Sequence, residues 1–345
     1  MMYKKQLIIY SFSHFAVDFT CFFVLMGSFY FNVTDLFLGC LVYNFLAFAL
    51  QVPIGYVADK IKIKHSYITM LGCALVVIGL IFSTFILCWV ALCFCTIGNA
   101  IFHVGGGVDS LVNADGKYYR AGVFISFGAL GVALGTVAAK IWLWPVWPVF
   151  ILIIFCMLLQ SLLIKNERTS YNTSFKFEKP IIKQTSFIIY IVLLAILIRA
   201  VVGAYVPISW KTTTFLIVLP AICAFGGKFL GGILADKFGA RNVALISLII
   251  SAPLLAFFSN VISLCCIGLL FFNMTTAITA CIVASKMPEN PAFSFGLTTL
   301  ALFIGTTISY FVFISAVIIS YILLASIIIA VICITLTTAN KGDIK

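Results

Sequence analysis

Six ionisable side chains lie in stretches that are otherwise almost wholly apolar: His14, Asp18, His103, Asp109, Arg199 and Lys228. His14 and Asp18 are four residues apart, so on a helix they share one face and can hydrogen-bond. Such a pair exchanges protons near neutral pH, where an imidazole titrates. The plainer reading makes His14 a neutral polar residue that holds Asp18 or a neighbouring helix in place. His103 precedes Gly105-Gly106-Gly107, which admits close approach of backbone or substrate, or a bend. His103 is thus a second candidate for substrate or proton binding. Arg199 suits an ion pair or an anionic substrate group, its fork of donors matching a carboxylate, or else a structural neighbour. Asp109, nearer the end of its stretch, suits a structural or gating ion pair. Lys228 sits about two turns from an end and can snorkel its ammonium to the lipid headgroups, so it is left out of the binding set.

The elements that must position these groups follow from composition. Of 345 residues, 63% are hydrophobic and 9% charged, with a mean hydropathy of +1.22. Soluble proteins carry roughly 25% charge, so a water-soluble fold is excluded and lipid is the solvent. Apolar runs broken by charge, Pro or Asn predict twelve spans near 6–30, 36–58, 66–86, 88–112, 121–139, 145–164, 186–206, 213–235, 243–258, 261–284, 292–311 and 314–338. The runs are apolar on nearly every side rather than alternating, which predicts helices and not a barrel. An ionised group at mid-bilayer costs about 2.5–3.5 kcal/mol on the most lenient scale, so the six groups above are functional candidates by position. All twelve cysteines fall inside spans and read as small apolar fillers. Cys93-Phe-Cys95 has the wrong spacing for zinc, and no metal or cofactor is expected.

With the N-terminus inside, seventeen of the twenty-one Lys and Arg fall on the cytoplasmic side, as positive charge in short loops does. The net charge of +11 is therefore an orientation signal, with both termini cytoplasmic, and no sign of nucleic-acid binding. The polar stretch from Lys165 divides the spans six and six. It predicts an N-terminal bundle over 1–164, a cytoplasmic linker over 165–185 and a C-terminal bundle over 186–345. Gly55-Tyr-Val-Ala-Asp59-Lys60 returns as Gly232-Ile-Leu-Ala-Asp236-Lys237, and Gly122 and Gly131 return as Gly296 and Gly305 at nearly the same offset. A duplicated six-helix unit is the pattern of secondary transporters.

On these motifs the chain resembles the major facilitator superfamily over essentially its whole length. Gly55, Asp59, Lys60 and Lys64 fit the family's loop between helices two and three, with Lys62 in place of its second Gly. Gly232, Asp236, Lys237, Gly239 and Arg241 fit the repeat. Ser13-His14-x-x-x-Asp18 and Gly98-Asn-Ala-Ile-Phe102-His103 look like the fosmidomycin-resistance branch, with Val104 and no proline where members of that branch have Pro. Gly122, Gly131 and Gly135 resemble the opening of the antiporter glycine motif, Thr136 replacing its Pro, and span four lacks the Arg usual in drug antiporters. The resemblance implies an all-α fold of two pseudo-symmetric six-helix bundles and a transporter working by alternating access. It also implies that spans one, four and seven line a central cavity in which His14, Asp18, His103 and Arg199 bind substrate or protons. Asp18 and Arg199, level by residue count, are expected to face each other there, Arg199 neutralising Asp18 or holding an anionic group. Asp59 with Lys60, Asp236 with Lys237, Gly131, Gly135 and Asp109 are expected to serve gating.

No ATP-binding element is present: Gly226-Gly227-Lys228 lacks the first Gly and the Ser/Thr of a phosphate loop. Transport energy must come from an ion gradient, a counter-substrate or the substrate's own gradient. The expected function is proton-coupled efflux of a small organic molecule from the cell, by a monomer in a bacterial inner membrane. Uptake by symport or facilitated diffusion is the alternative, and a membrane-embedded enzyme a minor one, the nearly empty loops offering no interfacial active site.

Overall fold

The computed structural model describes residues 2–163 and 184–338. The linker expected over 165–185 lies outside them, apart from its last two residues. Among the described residues, eleven helices are long and apolar enough to cross a membrane. They are α1 (Lys5–Asn32), α2 (Leu36–Ile61), α3 (His65–Thr84), α4 (Cys88–Val112), α5 (Tyr119–Lys140), α7 (Thr185–Tyr205), α8 (Thr214–Phe238), α9 (Ala240–Phe257), α10 (Ile262–Lys286), α11 (Pro291–Phe311) and α12 (Ile318–Thr337). The shorter apolar helix Val146–Leu162 is α6. The protein is an all-helical, multi-span membrane protein, and each expected span has its helix.

Local chemistry sets the ends. Asp35 caps α2 by accepting from the Leu38 amide at 2.8 Å, satisfying one of the amides a helix start leaves bare. After α2 the chain turns through Lys62 in the left-handed region, φ 54° and ψ 42°. After α8 it turns at Gly239, φ 89° and ψ 138°. Three interruptions carry no hydropathy signal: π-helical turns at Leu25–Phe29 in α1 and Phe45–Ala49 in α2, and a break at Met274 in α10.

The chain forms two compact units. The first takes residues up to Asn113, those from Phe124 to the end of α6, and Asn290–Gly296; the second takes Ala114–Val123, Gln184 to Glu289, and Leu297 onward. Each unit therefore includes the opening turns of a helix encoded in the other half of the sequence. Small residues bring helices together in lipid, where no hydrophobic force drives them. In the first unit, α3 and α4 meet backbone to backbone at Gly72 and Gly98: a Cβ on Gly72 would overlap the Phe102 amide, and one on Gly98 the Gly72 carbonyl. Ala58, Ile68, Val104, Val108, Val112 and Ala292 form an apolar cluster beside this seam.

Candidate functional site

In the first unit, α1, α4 and α5 converge on one polar cluster. Asp18 is its centre. Its Oδ2 lies 3.2 Å from His14 Nε2 on the same helix, and its Oδ1 lies 3.8 Å from His103 Nε2 on α4. Oδ1 also accepts from Asn99 Nδ2 at 2.7 Å. All four side chains are buried, Asp18 being 7% exposed and His103 8%. The two imidazoles meet edge to face with centroids 4.4 Å apart, and the Phe124 ring stacks on His14 at 4.5 Å.

The second nitrogen of each imidazole fixes what the first presents. His14 Nδ1 lies 2.7 Å from the Phe124 carbonyl oxygen, and His103 Nδ1 lies 2.9 Å from that of Asn99. A carbonyl oxygen only accepts, so each Nδ1 carries the proton and donates. Both Nε2 atoms are then turned toward the Asp18 carboxylate. Left bare, two nitrogen lone pairs would oppose two carboxylate oxygens in a buried pocket. A proton on Nε2, donated to Asp18, closes the arrangement; so does a cation held among the three groups. One nitrogen from each imidazole and a carboxylate oxygen lie within 4.8 Å of one another, so three groups able to ligate a metal converge although no metal was expected from the spacing of residues along the chain.

Gly128 on α5 makes the convergence possible. A Cβ there would overlap both Asp18 Oδ2 and His14 Nε2, so any side chain would close the space beside the two atoms. One and two turns further, Gly131 and Gly135 lie against the α1 backbone, where a Cβ would overlap the carbonyl oxygens of Phe15 and Phe19 respectively. These glycines set the α1–α5 distance. The Gly105-Gly106-Gly107 run does not open a path for substrate: Gly105 abuts His65 and Thr69 of α3, Gly106 the Phe124 ring, and Gly107 the Phe295 ring. Asp109 is buried at 1% exposure and accepts from Asn113 Nδ2 at 2.8 Å within one turn.

Arg199 belongs to the second unit. It is buried, its Nη2 donating to Thr276 Oγ1 at 2.8 Å and to the Phe272 carbonyl at 3.4 Å, with the guanidinium 5.2 Å from the Phe272 ring centroid. Its Nε has no hydrogen-bond partner among the described residues. Within the first unit Asp18 is met by His14, His103 and Asn99, and within the second Arg199 is met by Thr276 and Phe272. The sequence could order residues along each helix but carried no register between helices.

The two repeated loop motifs use their aspartates alike. In the first unit, Asp59 accepts from the amides of Ala292 and Phe293 at 3.1 and 2.7 Å, capping the first turn of α11 behind Pro291. In the second, Asp236 accepts from the amides of Tyr118 and Tyr119 at 2.8 and 3.0 Å, capping the start of α5. A carboxylate at a helix N-terminus meets both bare amides and the positive end of the dipole. Gly55 and Gly232, one turn earlier, allow the approach, since a Cβ on either would strike the capped backbone. Lys60 and Lys237 lie instead over aromatic rings of their own helices, 6.0 Å from the Tyr56 centroid and 5.2 Å from that of Phe238.

Asn99, Gly128 and the Phe124 carbonyl were not singled out as site groups from sequence. Asn99, four residues before His103, and Gly128, on the face of Gly131 and Gly135, had a spacing that could have shown them. A main-chain carbonyl has none.

No protein-family model and no curated protein matches the chain. Solved structures do. The E. coli fucose:proton symporter FucP is 14% identical, with 99% of this chain and 100% of that one covered and a TM-score of 0.67. A bacterial homologue of the iron transporter ferroportin in the outward-facing state is also 14% identical, with 97% and 98% covered and a TM-score of 0.63. FucP is a major facilitator superfamily transporter, and the fold of this chain, along nearly all its length, is the fold of that superfamily's transporters.

Proposed function

We propose that this protein is a secondary active transporter that exports a small organic molecule by alternating access in exchange for protons. One observation carries the reading: a buried His14–Asp18–His103 cluster in a major facilitator fold. A carboxylate with two imidazoles aimed at it can take up and pass on protons. Arg199, with an unsatisfied Nε and no carboxylate partner among the described residues, supplies the site for an anionic substrate group. The Asp59 and Asp236 caps, with Gly131 and Gly135, are the gating elements, and Asp109 steadies the end of α4. The protein works as a monomer in the cell membrane, both termini in the cytoplasm.

Proteoliposomes enclosing a pH-sensitive dye test this. Amphipathic and anionic compounds added outside should move protons in a compound-dependent way. Substrate flux that persists unchanged when the pH gradient is collapsed removes proton coupling. Arg199→Ala should abolish flux of anionic compounds, and unchanged flux would remove Arg199 from the site. Uptake by symport is the second reading, favoured by the fold likeness to a fucose:proton symporter. The sign of the proton movement relative to substrate separates the two.

A further inference from the structure

We infer that His14 Nε2, His103 Nε2 and the Asp18 carboxylate bind a divalent transition-metal ion. The inference rests on the cluster being the ion-handling centre of the transporter, and names a cation class for that centre.

Four independent features point to it. First, the donor set is two imidazoles and one carboxylate from two helices, buried and converging within 4.8 Å. Ligands at about 2.0–2.2 Å around a tetrahedral ion are about 3.3–3.6 Å apart. The 3.2 Å from His14 Nε2 to Oδ2 and the 3.8 Å from His103 Nε2 to Oδ1 lie either side of that range, so small side-chain rotations close the set. Second, each imidazole donates Nδ1–H to a main-chain carbonyl, the outer hydrogen bond that holds a metal-binding His in the tautomer with Nε2 free to coordinate. Third, Asn99 holds Asp18 by Oδ1 at 2.7 Å, orienting the carboxylate as outer-sphere partners of ligating carboxylates do. Fourth, Gly128 leaves open the space beside Asp18 Oδ2 and His14 Nε2, which a side chain would fill.

The chemistry selects the ion. Two nitrogens and one carboxylate suit Zn²⁺, Fe²⁺ or Co²⁺, whereas Mg²⁺ and Ca²⁺ take oxygen ligands. Three protein ligands leave a coordination position open, as in sites that exchange what they bind.

The test titrates the full-length protein, purified in detergent and metal-stripped, with Zn²⁺ by calorimetry and with Co²⁺ by visible absorption. One Zn²⁺ per chain is expected, in the presence of excess Mg²⁺ and Ca²⁺, with Co²⁺ bands showing nitrogen coordination. Asp18→Asn and His103→Ala should weaken Zn²⁺ at least about 100-fold, and Asn99→Ala about 10–100-fold. Gly128→Ala keeps every ligand and should also lose binding, which keeps the test decisive if a ligand variant fails to fold. Absence of Zn²⁺ binding in monodisperse wild-type protein overturns the site, as does binding undiminished in Asp18→Asn. Compound-driven proton flux in a protein that binds no Zn²⁺ overturns this inference alone. Zn²⁺ binding without any flux overturns the transport reading and leaves the site standing.

Discussion

The two units share a scaffold and differ in chemistry. Gly131 of α5 lies against α1, where a Cβ would meet the Phe15 carbonyl and the Asp18 Cβ; Gly305 of α11 lies against α7, where it would meet the Leu197 carbonyl and the Ala200 Cβ. The same notch thus aligns Asp18 with Ala200, and one turn earlier His14 with Ile196. Arg199 falls beside the Asp18 equivalent rather than on it. The motif glycines repeat as faithfully, Gly122 facing Lys228 and Gly232 in one unit, Gly296 facing Gln51 and Val52 in the other. Backbone packing is what the duplication preserved, because a Cβ at any of these positions overlaps main chain that cannot give way. Buried ionisable groups are costly in lipid, and among the described residues the paired acid and base stand in the first unit.

Asp18→Asn should break this comparison most severely. It keeps the shape, removes the charge both imidazoles face, and is expected to cut compound-driven proton flux about 100-fold or more. Ala200→Ser at the equivalent position should leave flux within about twofold. Equal losses would mean that the chemistry is shared between the units. Next come Gly131→Leu and Gly305→Leu, each expected to cost about 1–3 kcal/mol through forced helix separation, read as matched falls in thermal unfolding midpoint in detergent. A fall in only one would show that the scaffold is not duplicated in energy. Asp59→Ala and Asp236→Ala each remove a helix cap and should cost about 0.5–2 kcal/mol apiece, with turnover changed and substrate affinity kept. Smallest is Lys62→Gly, expected to stabilise by up to about 1 kcal/mol by relieving a left-handed lysine. Gly239→Lys should destabilise by more, since its φ of 89° with ψ of 138° is not open to a side chain. That contrast explains why the first loop tolerates Lys where the second keeps Gly.

The fold was legible because lipid imposes it: apolar runs of fixed length, and glycines whose absence of side chain is a packing requirement. The two π-helical turns and the break at Met274 were not, since shifting one hydrogen bond leaves hydropathy unchanged. His14, Asp18 and His103 were each visible as ionisable groups out of place. That His103 turns to Asp18, and that Asn99 and the Phe124 carbonyl complete the cluster, depends on the axial register of α1, α4 and α5. Gly105–Gly107, read as room for backbone, for substrate or for a bend, lies against α3 and two phenylalanine rings. Asp59 with Lys60 and Asp236 with Lys237 were legible as a repeated motif, but that each aspartate caps a helix start while each lysine lies over an aromatic ring of its own helix depends on packing that the motif does not encode.

The donors for the Asp59 carboxylate reside at 292 and 293, some 230 positions further along the chain. Chains emerge from the ribosome N-terminus first, and domains generally fold in that order. Here the first unit is still short of its last hydrogen bonds until most of the second has been translated, so insertion of the early helices precedes their final consolidation. A fragment expressed up to residue 164 would carry the polar cluster but leave that carboxylate without its amides.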